Sequence, residues 1–502
     1  MATQTLAQGP ARTGPVSGGS APLRLPLAII AGIALAILVG VLGATQYGSS
    51  ALVALLALGF LALAVLIYLK DPVLALLSLW VFEVLDLPAS SALGYFSSTG
   101  EMIRQADEVL VVLLLLLTLR SLLRSTTPLP PLRYLVPGVG VALCGFISGI
   151  LHGVPIVILL VGGFLGLKLW TMITLTLVLP WRRSDVGRVY KVLICVGVAI
   201  AVIGLVDYAS NHAVSHLLHT SVNQTTYRSE AAQSIFPTPG EYSLFMSLMF
   251  GITFARFSRS FRTQDLLLAL LFAANVVLSL RLKGFLSLAA VGVIVGIVSN
   301  ASNPRRTITA LGVGAVLVFG AYQLEQSVIS KQVNTYTSTD TSARSRLYST
   351  GEQIASESFP LGLGFGRFAS YMSHAHYSPA YYKYRLSRIY GLSPQHPNFI
   401  EDTSWPSVFG ETGYGGAAFY VGGFLVLVFS FGQRLLSWPA RLKWLPLAAL
   451  CCVAVLVLDS LGDPALFSWL ATTTIAIVAG PILVLRWPSG EPDAAVQTGD
   501  RT

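Results

Sequence analysis

The sequence predicts an all-α polytopic membrane protein with about fourteen transmembrane helices and one large outer loop. Three observations predict it. Of 502 residues, 54% are hydrophobic and only 11% charged, whereas soluble domains carry roughly 25% charged residues. The mean hydropathy is +0.70. Apolar runs recur from end to end, each about 17 to 25 residues long, the length a helix needs to cross a hydrocarbon core of about 30 Å.

Residues 1–24, rich in Gly, Ala, Pro, Ser and Thr, read as a disordered cytoplasmic tail. The run at 26–45 is too long for a cleaved signal and reads as an anchor. Further runs follow at 51–69, 72–87, 105–120, 134–152, 156–179, 190–208, 240–257, 265–280, 284–300 and 307–323. Residues 25–323 are thus a bundle of spans 1 to 11 with an outer loop at 209–239. Residues 324–407 form the large periplasmic or extracellular loop. Spans 12 to 14 occupy 408–485, as 408–431, 444–460 and 466–485, and 486–502 is a second cytoplasmic tail. The third, fourth and ninth runs are short, which leaves counts of twelve or thirteen with re-entrant pieces open.

With both termini inside, most of the 32 basic residues fall in cytoplasmic segments, as the positive-inside rule requires of short loops. The net charge of +9 is then mostly topology, because juxtamembrane Arg and Lys lie against an anionic leaflet. It is no argument for nucleic acid. Cys144, Cys195, Cys451 and Cys452 all fall inside expected spans and read as small core residues. No P-loop, Rossmann glycine pattern, His-Glu-x-x-His or Asp-x-Asp pair is present, which disfavours nucleotide-driven and nucleotide-sugar enzymes.

Inside the membrane, Lys168 is costly unless paired, and Glu83, Asp86 or Asp207 is its expected partner. Gly145 with Gly149, and Gly292 with Gly296, read as packing positions. His212, His216 and His219 could share one helical face at zinc-compatible spacing, but an interfacial helix explains the pattern and no metal site is assigned.

The large loop carries the chemistry. Ser342 to Glu357 can form a helix capped by Thr341 or Ser342 and stopped before Pro360. The turn Pro360-Leu361-Gly362-Leu363-Gly364-Phe365-Gly366-Arg367-Phe368 lets backbone approach another surface closely. Tyrosines then crowd from Tyr371 to Tyr390 among Lys383, Arg385 and Arg388, either as sugar-stacking faces or as an aromatic belt. Arg228, Arg281 and Lys283, and Arg344 or Arg346, are outer cations suited to a lipid diphosphate, since guanidinium forks hold it bidentately and stabilise charge growing on a leaving group. His396 titrates near neutral pH and is a candidate general base. Glu411 is placed to orient the loop or a sugar.

These residues resemble the O-antigen ligase and polymerase superfamily, over roughly 225–425. Arg228 followed by Phe236-Pro237-Thr238-Pro239-Gly240-Glu241 is similar to the family's arginine and Phe-x-x-Pro element, without the asparagine that usually follows. Ser279-Leu280-Arg281-Leu282-Lys283-Gly284 resembles its Ser-x-Ser-Arg-Gly element. Arg344 or Arg346 with Pro360 to Phe368 resembles its loop helix and glycine turn. His396-Pro397-Asn398 and Glu411-Thr412-Gly413-Tyr414-Gly415-Gly416 resemble its His-Asn and Glu-x-Gly-x-x-Gly elements.

The resemblance implies a GT-C-like membrane glycosyltransferase, inverting, metal-independent and without cofactor, in a bacterial inner membrane. Its donor would be a polyprenyl-diphosphate-linked glycan and its acceptor another glycan or lipid-linked chain, with other envelope polysaccharide assembly proteins as partners. His396, Arg281 and Glu411 would be catalytic, Arg228, Arg281, Lys283, Arg344 and Arg346 would hold diphosphate, and Tyr381, Tyr382 and Asn398 would contact sugar. Polymerisation of repeat units is the first expectation and ligation to a lipid A core the second. A lipid-linked oligosaccharide flippase is the rival of another class, and its charges should line a central cavity.

Overall fold

The computed structural model describes residues 62–92, 98–124, 130–218, 231–300 and 342–487. The spans read at 26–45 and 307–323, most of that at 51–69, the tail at 1–24 and nearly all of 486–502 lie outside these residues. Within them the chain is helical almost throughout, and the described residues hold no strand.

Every other apolar run coincides with helix. The bundle begins with α1 (Pro72–Ala92), α2 (Ser98–Arg124) and α3 (Leu132–Leu151). The run at 156–179 is two helices, α4 (Ile156–Gly166) and α5 (Lys168–Val178), bent by 62°. Next come α6 (Arg183–Ala209), a short α7 (Ala213–Leu217), α8 (Pro239–Ser260), α9 (Thr263–Leu278) and α10 (Leu282–Asn300). The loop contributes α11 (Ala343–Glu357), α12 (Tyr371–Ala375) and α13 (Pro379–Lys383). The chain returns through α14 (Ser404–Ser437), α15 (Trp444–Ser460) and α16 (Trp469–Val484).

Four segments are long and apolar enough to cross a membrane: Leu132–Leu151, Arg183–Ala209, Ser404–Ser437 and Ala440–Ser460. The bent pair of α4 and α5 makes five if counted as one span. The described residues therefore give a polytopic helical bundle in which four or five helices meet this test, a smaller number than the fourteen apolar runs. The runs at 26–45, 51–69 and 307–323 lie wholly or mostly outside the described residues, which accounts for part of the difference. α9, α10 and α16 are apolar but shorter, α1 and α2 carry buried carboxylates, and α8 is buried without a break from Tyr242 to Ala255. A helix buried all round belongs to the centre of a bundle.

The lipid-facing surface is legible on α3. Val136, Val139, Leu143, Ile147 and Ile150 are exposed at spacings of three and four, while Tyr134, Pro137, Val141, Cys144 and Ser148 face inward. An apolar stripe of that period, left outside a packed core, is stable against hydrocarbon rather than water.

At one end of the bundle Arg133, Arg434 and Arg486 are electrostatic neighbours, Arg183 lies over the Trp487 ring, Arg188 pairs with Asp71, and Arg256 lies over Tyr190. The large loop packs on the other end.

Its helix starts where side-chain chemistry dictates. Ser342 accepts the N–H of Ser345 at 3.2 Å and caps α11, which ends at Glu357. The loop has a small core of its own, including Leu347, Ile354, Phe368, Tyr381, Leu392 and Ile400.

Candidate functional site

The glycine turn is the element that docks the loop on the bundle. α14 is broken at Gly413, whose φ of 67° and ψ of −169° leave the helical region. The backbone groups around the break are satisfied by the turn: Leu363 N–H donates to Gly410 O, Gly364 N–H to Glu411 O, and Gly415 N–H to Pro360 O, all at 2.8 to 2.9 Å. Irregular backbone at membrane depth persists only where protein satisfies it in this way. Gly364, at φ 91°, lies so close to α3 that a Cβ would sit 2.2 Å from Gly149 Cα. Phe365 inserts against Gly145 and Gly163, and Ser148 donates to Gly362 O. Gly145 and Gly149 of α3 thus receive the loop turn, and Gly149 also receives Leu159 of α4.

Glu411 locks the same turn. Its Oε1 accepts the Ser370 hydroxyl at 2.6 Å and the Phe368 N–H at 3.1 Å. The side chain is buried, so these bonds are worth more than in water. Glu411 is in the position of a residue that orients the loop.

Beneath the loop lies a cavity of about 510 Å³. Seven carboxylates face it: Glu83 and Asp86 from α1, Asp107 and Glu108 from α2, Glu241 from α8, Glu401 from the loop and Glu411 from α14. Lys168, at the bend between α4 and α5, is the cation among its lining residues. It pairs with Glu108 at 3.7 Å and lies 4.6 Å from the centre of the Trp469 ring. Glu108 was not among the partners expected for Lys168; of those that were, Glu83 and Asp86 share the cavity, and Glu83 is an electrostatic neighbour of Lys168. Asp207 lies elsewhere, binding the N–H and hydroxyl of Ser215 and facing His212.

A cluster of cations lies beside this cavity. Lys283 pairs with Asp459 at 3.2 Å and also with Asp463. Arg281 and Arg344 are its electrostatic neighbours, and Arg344 is itself paired with Asp402. Two features join cluster and cavity. Glu241 lines the cavity and interacts electrostatically with Lys283 and Asp459. Gly240 packs so closely that a Cβ there would be 2.9 Å from Asp463 and 3.4 Å from the Lys283 ammonium. The Thr-Pro-Gly-Glu sequence starts α8 at this point, with Thr238 accepting the Glu241 N–H at 3.2 Å.

The structure therefore brings Arg281, Lys283 and Arg344 together, and sets Glu411 across the cavity wall. Arg346 is exposed, and Arg228 lies outside the described residues. His396 is also exposed and is not part of the cavity wall. Its ring tilts against Tyr390 at 5.4 Å, and its N–H bonds Ser393 Oγ at 3.2 Å. Tyr381 is no sugar platform. It is completely buried, stacked on Phe368, with its hydroxyl accepting the Ala369 N–H at 2.9 Å. Tyr382 and Asn398 are exposed. Of the three histidines at 212, 216 and 219, His212 faces Asp207, His216 is exposed and His219 lies outside the described residues; α7 is only five residues long.

A second imidazole was not singled out by its sequence context. His374 Nδ1 is hydrogen-bonded to Glu401 Oε1 at 2.5 Å. That bond holds the imidazolium of His374 above its usual range, against the partial burial that acts the other way. The carboxylates Asp107, Glu108 and Glu401 are not marked by a motif, although Asp107 and Glu108 lie inside an apolar run, where acids are a signal of function in a membrane protein. No protein-family model matches the chain, and no curated protein matches it.

Proposed function

We propose that this chain is a membrane glycosyltransferase that polymerises polyprenyl-diphosphate-linked oligosaccharide units at the outer face of a bacterial inner membrane. The observation that carries the proposal is the meeting of the neighbours Arg281 and Lys283 with Arg344, from the distant loop helix, beside a cavity capped by the large loop. The acidic partners Asp459, Asp463 and Asp402 hold these cations in place. A diphosphate would compete for them, drawing on charge-assisted and bidentate contacts.

In the reaction, an acceptor hydroxyl attacks the anomeric carbon of the donor. The bond from that carbon to the diphosphate oxygen breaks with its electron pair on the diphosphate, and the hydroxyl proton passes to a base. The cations stabilise the charge that develops on the leaving group, the effect that contributes most at such sites. Diphosphate is a good leaving group, so acid assistance is a lesser need. Two imidazoles compete for the base: His396, which the family resemblance favours, and His374, which is bonded to a cavity carboxylate. A general base contributes roughly 10²-fold to 10⁴-fold.

The remaining helices, including α8, α9, α10 and α16, are read as spans of the same bundle, for a total of twelve to fourteen, with the arginine-rich end in the cytosol. Ligation to a lipid A core is the alternative acceptor chemistry.

A second reading is favoured by one observation. Carboxylates line a cavity at the break between α4 and α5, and broken helices with intramembrane acids also suit a carrier of lipid-linked oligosaccharide. The test is to supply purified protein in bilayers with lipid-linked oligosaccharide, in the presence of a chelator and without nucleotide. A ladder of longer lipid-linked chains is the expected product. Unchanged oligosaccharide that has crossed the bilayer identifies a carrier, and glycan found on lipid A core identifies a ligase.

A further inference from the structure

Resting on that glycosyltransferase reading, we infer that the cavity under the loop is a subsite for a neutral or amine-bearing sugar, and that it excludes sugars carrying carboxylate or phosphate. The charge balance of its wall is the first argument. Of the seven carboxyl groups in the wall, Glu401 is bonded to His374 and Glu241 interacts with Lys283, while Lys168, the ammonium among the lining residues, is already paired with Glu108 and lies over Trp469. An anionic sugar entering here would give up its water without gaining an unpaired cation among the lining residues, and the carboxyl groups that are ionised would repel it. The diphosphate belongs instead beside Lys283, at the adjoining cluster.

The second argument is the unused hydrogen-bonding capacity of the wall. Glu83 is 2% exposed. Its Oε1 accepts the Thr473 hydroxyl at 2.9 Å, while its Oε2 has no hydrogen-bond partner among the described residues. Glu241 Oε2, on the facing helix α8, is in the same condition. A buried polar atom left unpaired costs about 1–3 kcal/mol, and both residues line the cavity. Sugar hydroxyls and ammonium groups are donors that would satisfy both oxygens once the two carboxyl groups rotate to face the cavity. Trp469, Tyr371 and Phe467 provide the aromatic component of the wall. Aromatic faces combined with acceptor oxygens match a polyhydroxylated ring, which has apolar C–H faces and a rim of O–H donors. The volume falls within the roughly 300–1,000 Å³ of small-molecule sites. A metal ion is a poorer occupant, because the described residues contain no group of three or more potential ligands arranged to hold one.

Calorimetry on the full-length protein in nanodiscs tests this with two probes of equal length: a neutral or amino-sugar trisaccharide and a trisaccharide of uronic acids. Binding of the first and at least tenfold weaker binding of the second are expected. Glu83→Gln keeps the shape and the contact with Thr473 but converts an acceptor, and should weaken the first probe by roughly tenfold or more. Glu241→Gln, on a different helix, should do the same, so that failure of one variant to fold does not remove the test. No binding of either probe at millimolar concentration overturns the subsite, as does equal binding of both or wild-type affinity in both folded variants. Chain growth on lipid-linked donor is measured in parallel. Sugar binding without chain growth overturns the polymerase reading alone, and chain growth without selective binding overturns the subsite alone.

Discussion

Two stretches of the same loop, the glycine turn at 360–368 and the segment at 390–399, carry residues that look equally functional, yet they sit in different environments. The turn is buried between α3, α4 and the broken start of α14, with its backbone paired to that helix. The second stretch is fastened at Leu392 and Ile400 but leaves Tyr390, Gln395, His396 and Asn398 in the open. The difference teaches that short motifs in one loop do separate jobs. The turn and Glu411 fix where the loop stands over the cavity, and the open segment can be altered with little effect on the fold.

Matched glycine substitutions put the contrast to its hardest test. Gly364→Ala forces a Cβ into the backbone of α3 at φ 91°, and should destabilise by roughly 4 kcal/mol or more, seen as lost monodisperse protein in detergent. Gly391 has a similar φ of 88°, but its Cβ would meet the ring of Phe399, a side chain that can swing away. Gly391→Ala should cost only about 1–2 kcal/mol. Equal losses in both variants would erase the distinction.

Side-chain removal should show the same contrast at smaller size. Glu411→Gln weakens buried bonds to Ser370 and Phe368 and should lower stability by roughly 1–3 kcal/mol, read from thermal melting. Asn398→Ala should stay within about 0.5 kcal/mol.

For the imidazoles the contrast lies in activity. His396→Ala and His374→Ala should both leave melting nearly unchanged. Whichever residue is the base should lose roughly 10²-fold to 10⁴-fold in chain growth, and near-normal growth removes that residue from the role.

The smallest effect is a pH dependence confined to the docked side of the loop. The folded state holds the proton of His374 more tightly than the unfolded chain does, because of Glu401. The pair's contribution is then complete below the ordinary histidine pKa of about 6.5, and fades as pH rises through the raised value. Being half-exposed and solvent-screened, it should amount to less than about 1 kcal/mol. Glu401→Gln should abolish this pH dependence of melting, and persistence of the full slope would assign it elsewhere.

Helix positions were legible in the sequence because apolar period and capping chemistry are local. The start of α11 at Ser342 and the close approach of the glycine turn both follow from neighbouring residues. Pairings across the fold were not legible. Lys168 meets Glu108, and Lys283 meets Asp459, through helix packing that no local pattern encodes. Tyr381 and Tyr382 are adjacent, yet one is core and the other open, since a five-residue helix decides which way each points. One distinction was available in principle: Arg344 and Arg346 stand two apart on a helix, so they face different sides, and Arg344 is the one beside Lys283.

The most direct test of the diphosphate site is the release of free polyprenyl diphosphate from lipid-linked oligosaccharide by purified protein. Wild type should release one equivalent for each oligosaccharide unit joined, and Arg344→Gln, with melting unchanged within about 1 kcal/mol, should release it roughly 10²-fold to 10³-fold more slowly. No release by wild type, or an Arg344 variant that releases at the wild-type rate, would contradict the assignment.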